Sequence, residues 1–121
     1  MACSRGDVVL VPFPFRDRLA EETRPAVVVS GSDFNRSGDV IVAAITSHPS
    51  RGSFDVVLGD WKAAGLQRAS TVRMLLATLA EGRIALTIGR LSAADLQRID
   101  KAIDRVMNDR SDEPSSQEPE L

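Results

Sequence analysis

Thr23 to Asn35 reads TRPAVVVSGSDFN, a cation and a proline followed by three valines in a row and then by Ser, Gly and Asp. A burst of β-branched residues closed by turn formers is the signature of a short buried strand. The rest of the chain repeats it. Short apolar bursts bounded by Gly, Pro, Asn, Asp and Ser predict strands over Asp7 to Phe15, Ala26 to Ser30, Asp39 to Thr46, Phe54 to Leu58, Ser70 to Leu75 and Ala85 to Gly89. Five or six strands at this spacing predict a mainly β chain, a small barrel or half-open sandwich. Arg24 stands at the mouth of the second strand. A guanidinium is rarely left dry and alone, so it either caps a sheet edge in water or waits for an anion. From residue types alone, a salt bridge to Glu21 or Glu22 accounts for it.

Pro12 and Pro14 lack an N–H, so the end of the first strand is expected on an edge or bending away from the sheet. One helix is well signalled in LSAADLQRIDKAIDRVM. Ser92 is a good N-cap, Asp95 can complete a capping box, and Leu91 with Leu96 has the spacing of a hydrophobic staple. Leu96, Ile99, Ile103 and Val106 then recur on one face, which should pack on the sheet or on a partner. A shorter turn around DWKAAGL is expected to stop at Gly65. In FNRSGD, Asn35 and Gly38 are expected to supply positive φ, with a structural role for Asn35. The connection from Arg16 to Thr23 is longer than a hairpin needs and dense in charge, as functional loops often are.

At 121 residues and 43% hydrophobic content the chain suits one domain with its own core. No apolar run is long enough for a membrane span and no charged-then-apolar leader opens the sequence, so a cytoplasmic protein is expected. Cys3 is the single cysteine and can close no intrachain disulfide or zinc site. The net charge of −2 is unevenly spread. Residues 109–121 carry five acids against Arg110 alone, a net −4 that leaves +2 on residues 1–108. With two prolines, three serines and one apolar residue, that segment is expected to be a disordered acidic tail on a domain spanning 1–108.

In order and spacing, RGDVVLVPFPFRD, RPAVVVS, FN, VIVAAITS, GLQRASTVR and IGRLSAADL resemble the MazF/PemK family of bacterial toxin endoribonucleases over Arg5 to Met107. The resemblance implies an SH3-like β-barrel of five to six strands with a C-terminal helix, and a homodimer. It further implies metal-independent, cofactor-free cleavage of single-stranded RNA, and a cognate antitoxin as protein partner. The family's functional arginine lies in the motif seen here as RPA and its threonine in the motif seen here as ITS, which places these roles on Arg24 and Thr46. Many family members carry an acid two residues after the arginine of a VR motif. Here Leu75 stands at that place, and any mechanism that needs the acid is in doubt.

Cleavage without a metal proceeds by attack of the ribose 2′-OH on the adjacent phosphorus. It needs a proton acceptor, a proton donor for the leaving oxygen, and donors for the charge on the phosphorane. Arg24 suits the last need, since a planar fork of donors matches two phosphate oxygens, and Thr46 can add a hydroxyl hydrogen bond. An arginine is a poor base at neutral pH. His48 is the side chain whose ordinary pKa lies near 7, but in the turn-rich SHPSRG it reads as a solvated loop histidine. Arg73 reads equally as a phosphate binder near the dimer groove or as a strand-edge ion pair, and Ser47 as a phosphate donor or a strand end. Arg16, with Arg18, lies in the long loop as a further candidate RNA contact or a solvated face. With one Trp, four Phe and no Tyr, the chain lacks the stacking platforms of many single-strand binders, and Trp61 is expected to pack under a loop. The competing function is a non-catalytic inhibitor of DNA gyrase, since toxins of that kind share the barrel and dimer; a decayed relative that only binds its antitoxin is a third.

Overall fold

The computed structural model describes residues 3–14 and 22–108. The elements are β1 (Asp7–Phe13), β2 (Glu22–Val28), α1 (Ser32–Asn35), β3 (Asp39–Thr46), β4 (Val56–Val57), β5 (Thr71–Ala80), a 3-10 turn (Glu81–Arg83), β6 (Leu86–Arg90) and α2 (Ala93–Met107). The six strands form one antiparallel sheet in the order β4-β5-β3-β2-β1-β6, curled into a half-barrel with α2 against it. The expected mainly β fold with a C-terminal helix is the one observed.

Alternate positions of each strand feed opposite faces. Val8, Val27, Ala43 and Ile45 form one cluster with Ile99 and Ala102 of α2, and Trp61 packs half-buried against it as expected. Val9, Val11, Phe13, Ala26, Val28, Val40 and Val42 form a second cluster, to which no helix contributes a buried residue. The valines named here are fully buried. The second face is therefore covered by the curl of the sheet itself. The chain leaves β5 through the 3-10 turn and crosses to β6, with Glu81 N–H donating to Gly38 O at 2.8 Å and Ala85 N–H to Leu10 O at 2.9 Å. Full burial of each such valine contributes on the order of 1.5 kcal/mol.

Strand bounds differ from the sequence reading where polar residues are involved. β2 begins at Glu22, not Ala26, because Glu22–Pro25 pair with Phe13–Leu10 of β1 alone. β3 joins β2 only at Ala26–Val28, so the polar half of the strand has one open side. β1 meets β6 only over Asp7–Leu10, which leaves Pro12 where a missing N–H costs no second ladder. β5 runs on to Ala80, paired with β3 through Asp39, while β4 covers only Thr71 and Val72. Phe15, the expected end of the first strand, lies outside the described residues, as does the 109–121 segment.

Ser92 caps α2 by accepting from Asp95 N–H at 3.2 Å. The expected capping box does not close. The Asp95 carboxylate is turned instead to the loop before the 61–65 turn, where it accepts from Gly59 N–H at 3.0 Å and Asp60 N–H at 2.9 Å and pairs with Arg98. Those loop donors have no strand to serve them, and the carboxylate supplies their acceptor. Val106, expected on the packed face, is 40% exposed. Asn35 is structural, 1% exposed, donating to Cys3 O at 2.9 Å and Ser30 O at 3.2 Å while accepting from the Ser30 hydroxyl. Its backbone is helical, and the positive φ of that turn belongs to Gly38 alone.

Candidate active site

The β2–β3 register pairs Ala26 with Ala44 and Val28 with Val42; counted two residues past the ladder's end, it sets Arg24 opposite Thr46. The two strands pair up to Ala26 and Ala44 and are free of one another beyond. A cavity of about 370 Å³ opens there, and Arg24, Thr46 and Ser47 all line it, with Leu10 and Ile88 as part of its apolar floor.

Each side chain arrives with part of its bonding capacity spent. Arg24 donates from Nε to Glu22 Oε1 at 3.1 Å and from Nη2 to the same oxygen, so the salt bridge read from residue types is present, with Glu22 as the acid. One edge of the guanidinium remains for another anion. Thr46 Oγ1 accepts from His48 N–H at 3.1 Å, which holds the rotamer and leaves the O–H to donate. His48 itself is exposed and does not line the cavity.

The segment after the 61–65 turn supplies another part of the lining. Gly65 has φ of +90°, and a Cβ there would lie 2.3 Å from Ile88 O. A Cβ on Gly89 would lie 2.1 Å from Ala64 O. Two glycines thus let the turn and β6 touch backbone to backbone, and the chain leaves this contact with Gln67, Arg68 and Ser70 on the cavity. The Ser70 hydroxyl donates to Arg68 O at 2.8 Å and shapes the loop. The Arg68 side chain is exposed and has no hydrogen bond or ion pair with another described residue. The sequence reading assigned nothing to Gln67, Arg68 or Ser70. The available signal was an arginine in a short polar loop between a glycine stop and a strand, which is weak.

Arg73 is not brought to this cavity. It lines a separate cleft of about 260 Å³ with Arg51, Phe54, Asp55 and Leu75. There its Nε is buried without a hydrogen bond, 3.8 Å from Asp55 Oδ1, which favours the ion-pair reading. Arg16 and Arg18 lie outside the described residues. Among the described residues no group of His, Cys, Asp or Glu could hold a metal ion, and no helix is long and apolar enough to cross a membrane. Two guanidinia and three hydroxyls on one cavity, with no carboxylate lining it among the described residues, make a site for an anion.

The profile of the family described as PemK-like, MazF-like toxins of type II toxin-antitoxin systems matches residues 4–107. Among solved structures, MazF of Deinococcus radiodurans is 22% identical with a TM-score of 0.71, covering 88% of this chain and 96% of that one. An endoribonuclease in complex with its cognate antitoxin from a mycobacterial species is 22% identical, TM-score 0.67, over 86% and 91%. The Mycobacterium tuberculosis toxin MazF-mt6 is 19% identical, TM-score 0.68, over 82% and 93%. No curated protein matches the sequence.

Proposed function

Because the chain belongs to the PemK-like, MazF-like family of type II toxins, we propose that it is a sequence-specific endoribonuclease that cuts single-stranded RNA without a metal ion. The 2′-OH attacks the adjacent phosphorus, the bond to the 5′ oxygen breaks, and the products carry a 2′,3′-cyclic phosphate and a 5′-OH. The observation that carries the reading is the meeting of Arg24 and Thr46 on one cavity at the end of the β2–β3 ladder. Arg24 binds the non-bridging oxygens through the edge that Glu22 leaves free. As negative charge builds on the phosphorane, a fork of fixed donors gains more than it did in the ground state. The Thr46 hydroxyl donates a further hydrogen bond, and Ser47 contributes to holding the phosphate. Arg73, and Arg16 from the long loop, are assigned to flanking parts of the strand.

The partners proposed are RNA as substrate, a cognate antitoxin, and a second copy of the chain. In support of the last, β5 beyond Val72 has no strand neighbour on its outer side among the described residues, and Met74, Leu75 and Leu76 there are only partly buried. An unpaired edge of this kind readily adds another strand. The working compartment is the cytoplasm.

The test is incubation of the purified protein with a long single-stranded RNA in EDTA, beside folded Arg24→Ala and Thr46→Ala variants. The expected result is cleavage by the wild type with cyclic phosphate ends, and a loss of roughly 10²- to 10³-fold for Arg24→Ala. Intact RNA with folded wild type, together with inhibition of gyrase supercoiling, would overturn it.

A further inference from the structure

We infer that Arg68 is a second phosphate-binding residue, holding the backbone phosphate next to the one bound by Arg24; this rests on the nuclease reading above. Four observations carry it. Arg68 lines the same cavity as Arg24 and Thr46 but comes from a different part of the chain, the loop that follows the Gly65 turn. Its side chain has no ion pair or hydrogen bond with another described residue, whereas Arg24 is already held by Glu22. The loop that carries it is held at both ends, by the backbone contact of Gly65 with β6 and by Leu58 N–H donating to Ser70 O at 3.0 Å. Among the described residues no carboxylate lines the cavity to compete for it.

An exposed guanidinium with no partner among the described residues keeps its donors for a ligand, and the ligand chemistry that suits two guanidinia on one cavity is a polyanion with more than one phosphate. A single-stranded nucleic acid backbone presents such phosphates in succession. Arg24 touches the reacting group and Arg68 does not. Arg68 therefore binds the ground state and the transition state alike, and its removal raises KM while leaving kcat at saturation little changed.

The experiment measures binding and cleavage separately. A fluorescent RNA with a 2′-deoxy residue at the cut site reports Kd by anisotropy across a salt series, for wild type, Arg68→Ala and Arg68→Lys, each with its melting temperature. The expected result for Arg68→Ala is an unchanged melting temperature and about tenfold weaker binding at low salt. The slope of log K against log salt should shrink by about 0.7, the value for one phosphate contact on a single strand. Arg68→Lys should restore the slope, and kcat of Arg68→Ala on cleavable RNA should stay within about twofold of wild type. If wild type cuts RNA and Arg68→Ala binds with unchanged Kd and slope, the inference is overturned and the nuclease reading stands. A fall in kcat with no change in Kd overturns it as well. If wild type neither cuts nor binds RNA, both readings fall.

Discussion

Replacing Asp95 by Asn keeps the shape of the side chain and removes its charge, which isolates what the carboxylate does between α2 and the Gly59–Asp60 loop. Asp95 is 1% exposed and accepts from Gly59 N–H at 3.0 Å, from Asp60 N–H at 2.9 Å and from Arg98. An amide offers one acceptor oxygen where the carboxylate offers two. One of the loop N–H groups would then face another donor and lose its acceptor, at a cost of roughly 1–3 kcal/mol, and the remaining bonds would lose their charge assistance. A total of about 3 kcal/mol is expected, or on the order of 12 °C in melting temperature for a domain of this size. Burial alone would raise the Asp95 pKa, but the N–H groups of Asp60 and Gly59 and the Arg98 guanidinium outweigh it and hold it below the ordinary Asp value. The unfolded chain therefore binds this proton more readily than the folded one. The stabilisation is present above the unfolded value of about 4 and is lost as pH falls through the folded pKa. Urea melts from pH 7 down to pH 3 should show wild type losing this contribution on acidification and Asp95→Asn showing a shallower slope. A variant within 1 kcal/mol of wild type at pH 7, or one with the same acid slope, would refute the argument.

Other perturbations test other joints. Gly89→Ala places a Cβ 2.1 Å from a backbone carbonyl and should cost about 2–3 kcal/mol, read as a lower urea midpoint, with the cavity wall displaced enough to weaken RNA binding as well. Asn35→Ala removes three hydrogen bonds from a buried position and should lower stability by roughly 2–3 kcal/mol in the same melts. Glu22→Gln releases Arg24 from a half-exposed ion pair worth at most about 1 kcal/mol, so RNA should bind up to about fivefold tighter at low salt with kcat unchanged. A large fall in kcat would instead give Glu22 a part in proton transfer.

Much of this was legible in the chain order. β3 spans the predicted Asp39–Thr46, and α2 follows its Ser92 cap, because alternation and capping are local signals. The first half of β2 was not legible. Glu22, Thr23 and Arg24 read as loop because a strand with one open side tolerates polar residues that a buried strand would not. For the site, residue types alone predicted only a salt bridge of Arg24 to Glu21 or Glu22, and it was family resemblance that pointed to Arg24 and Thr46 as functional residues. Gln67 and Arg68 were invisible for a different reason. Their place on the cavity depends on Gly65 meeting Gly89 across 24 positions of sequence, a contact no local window contains. Nor did any local signal separate Arg73 from the Arg24 cavity.

A sheet packed on both of its faces has no face left to work with. In this half-barrel the central strands are given over to valine and alanine above and below, so polar chemistry is confined to the rims, where strands end and loops begin. Arg24, Thr46, Ser47 and Arg68 all stand there. The consequence is a division of labour visible to any systematic mutagenesis. Substitutions along the strand bodies should change how much folded protein accumulates and leave the activity per folded molecule alone, while those at the rim should do the reverse, and few positions should do both.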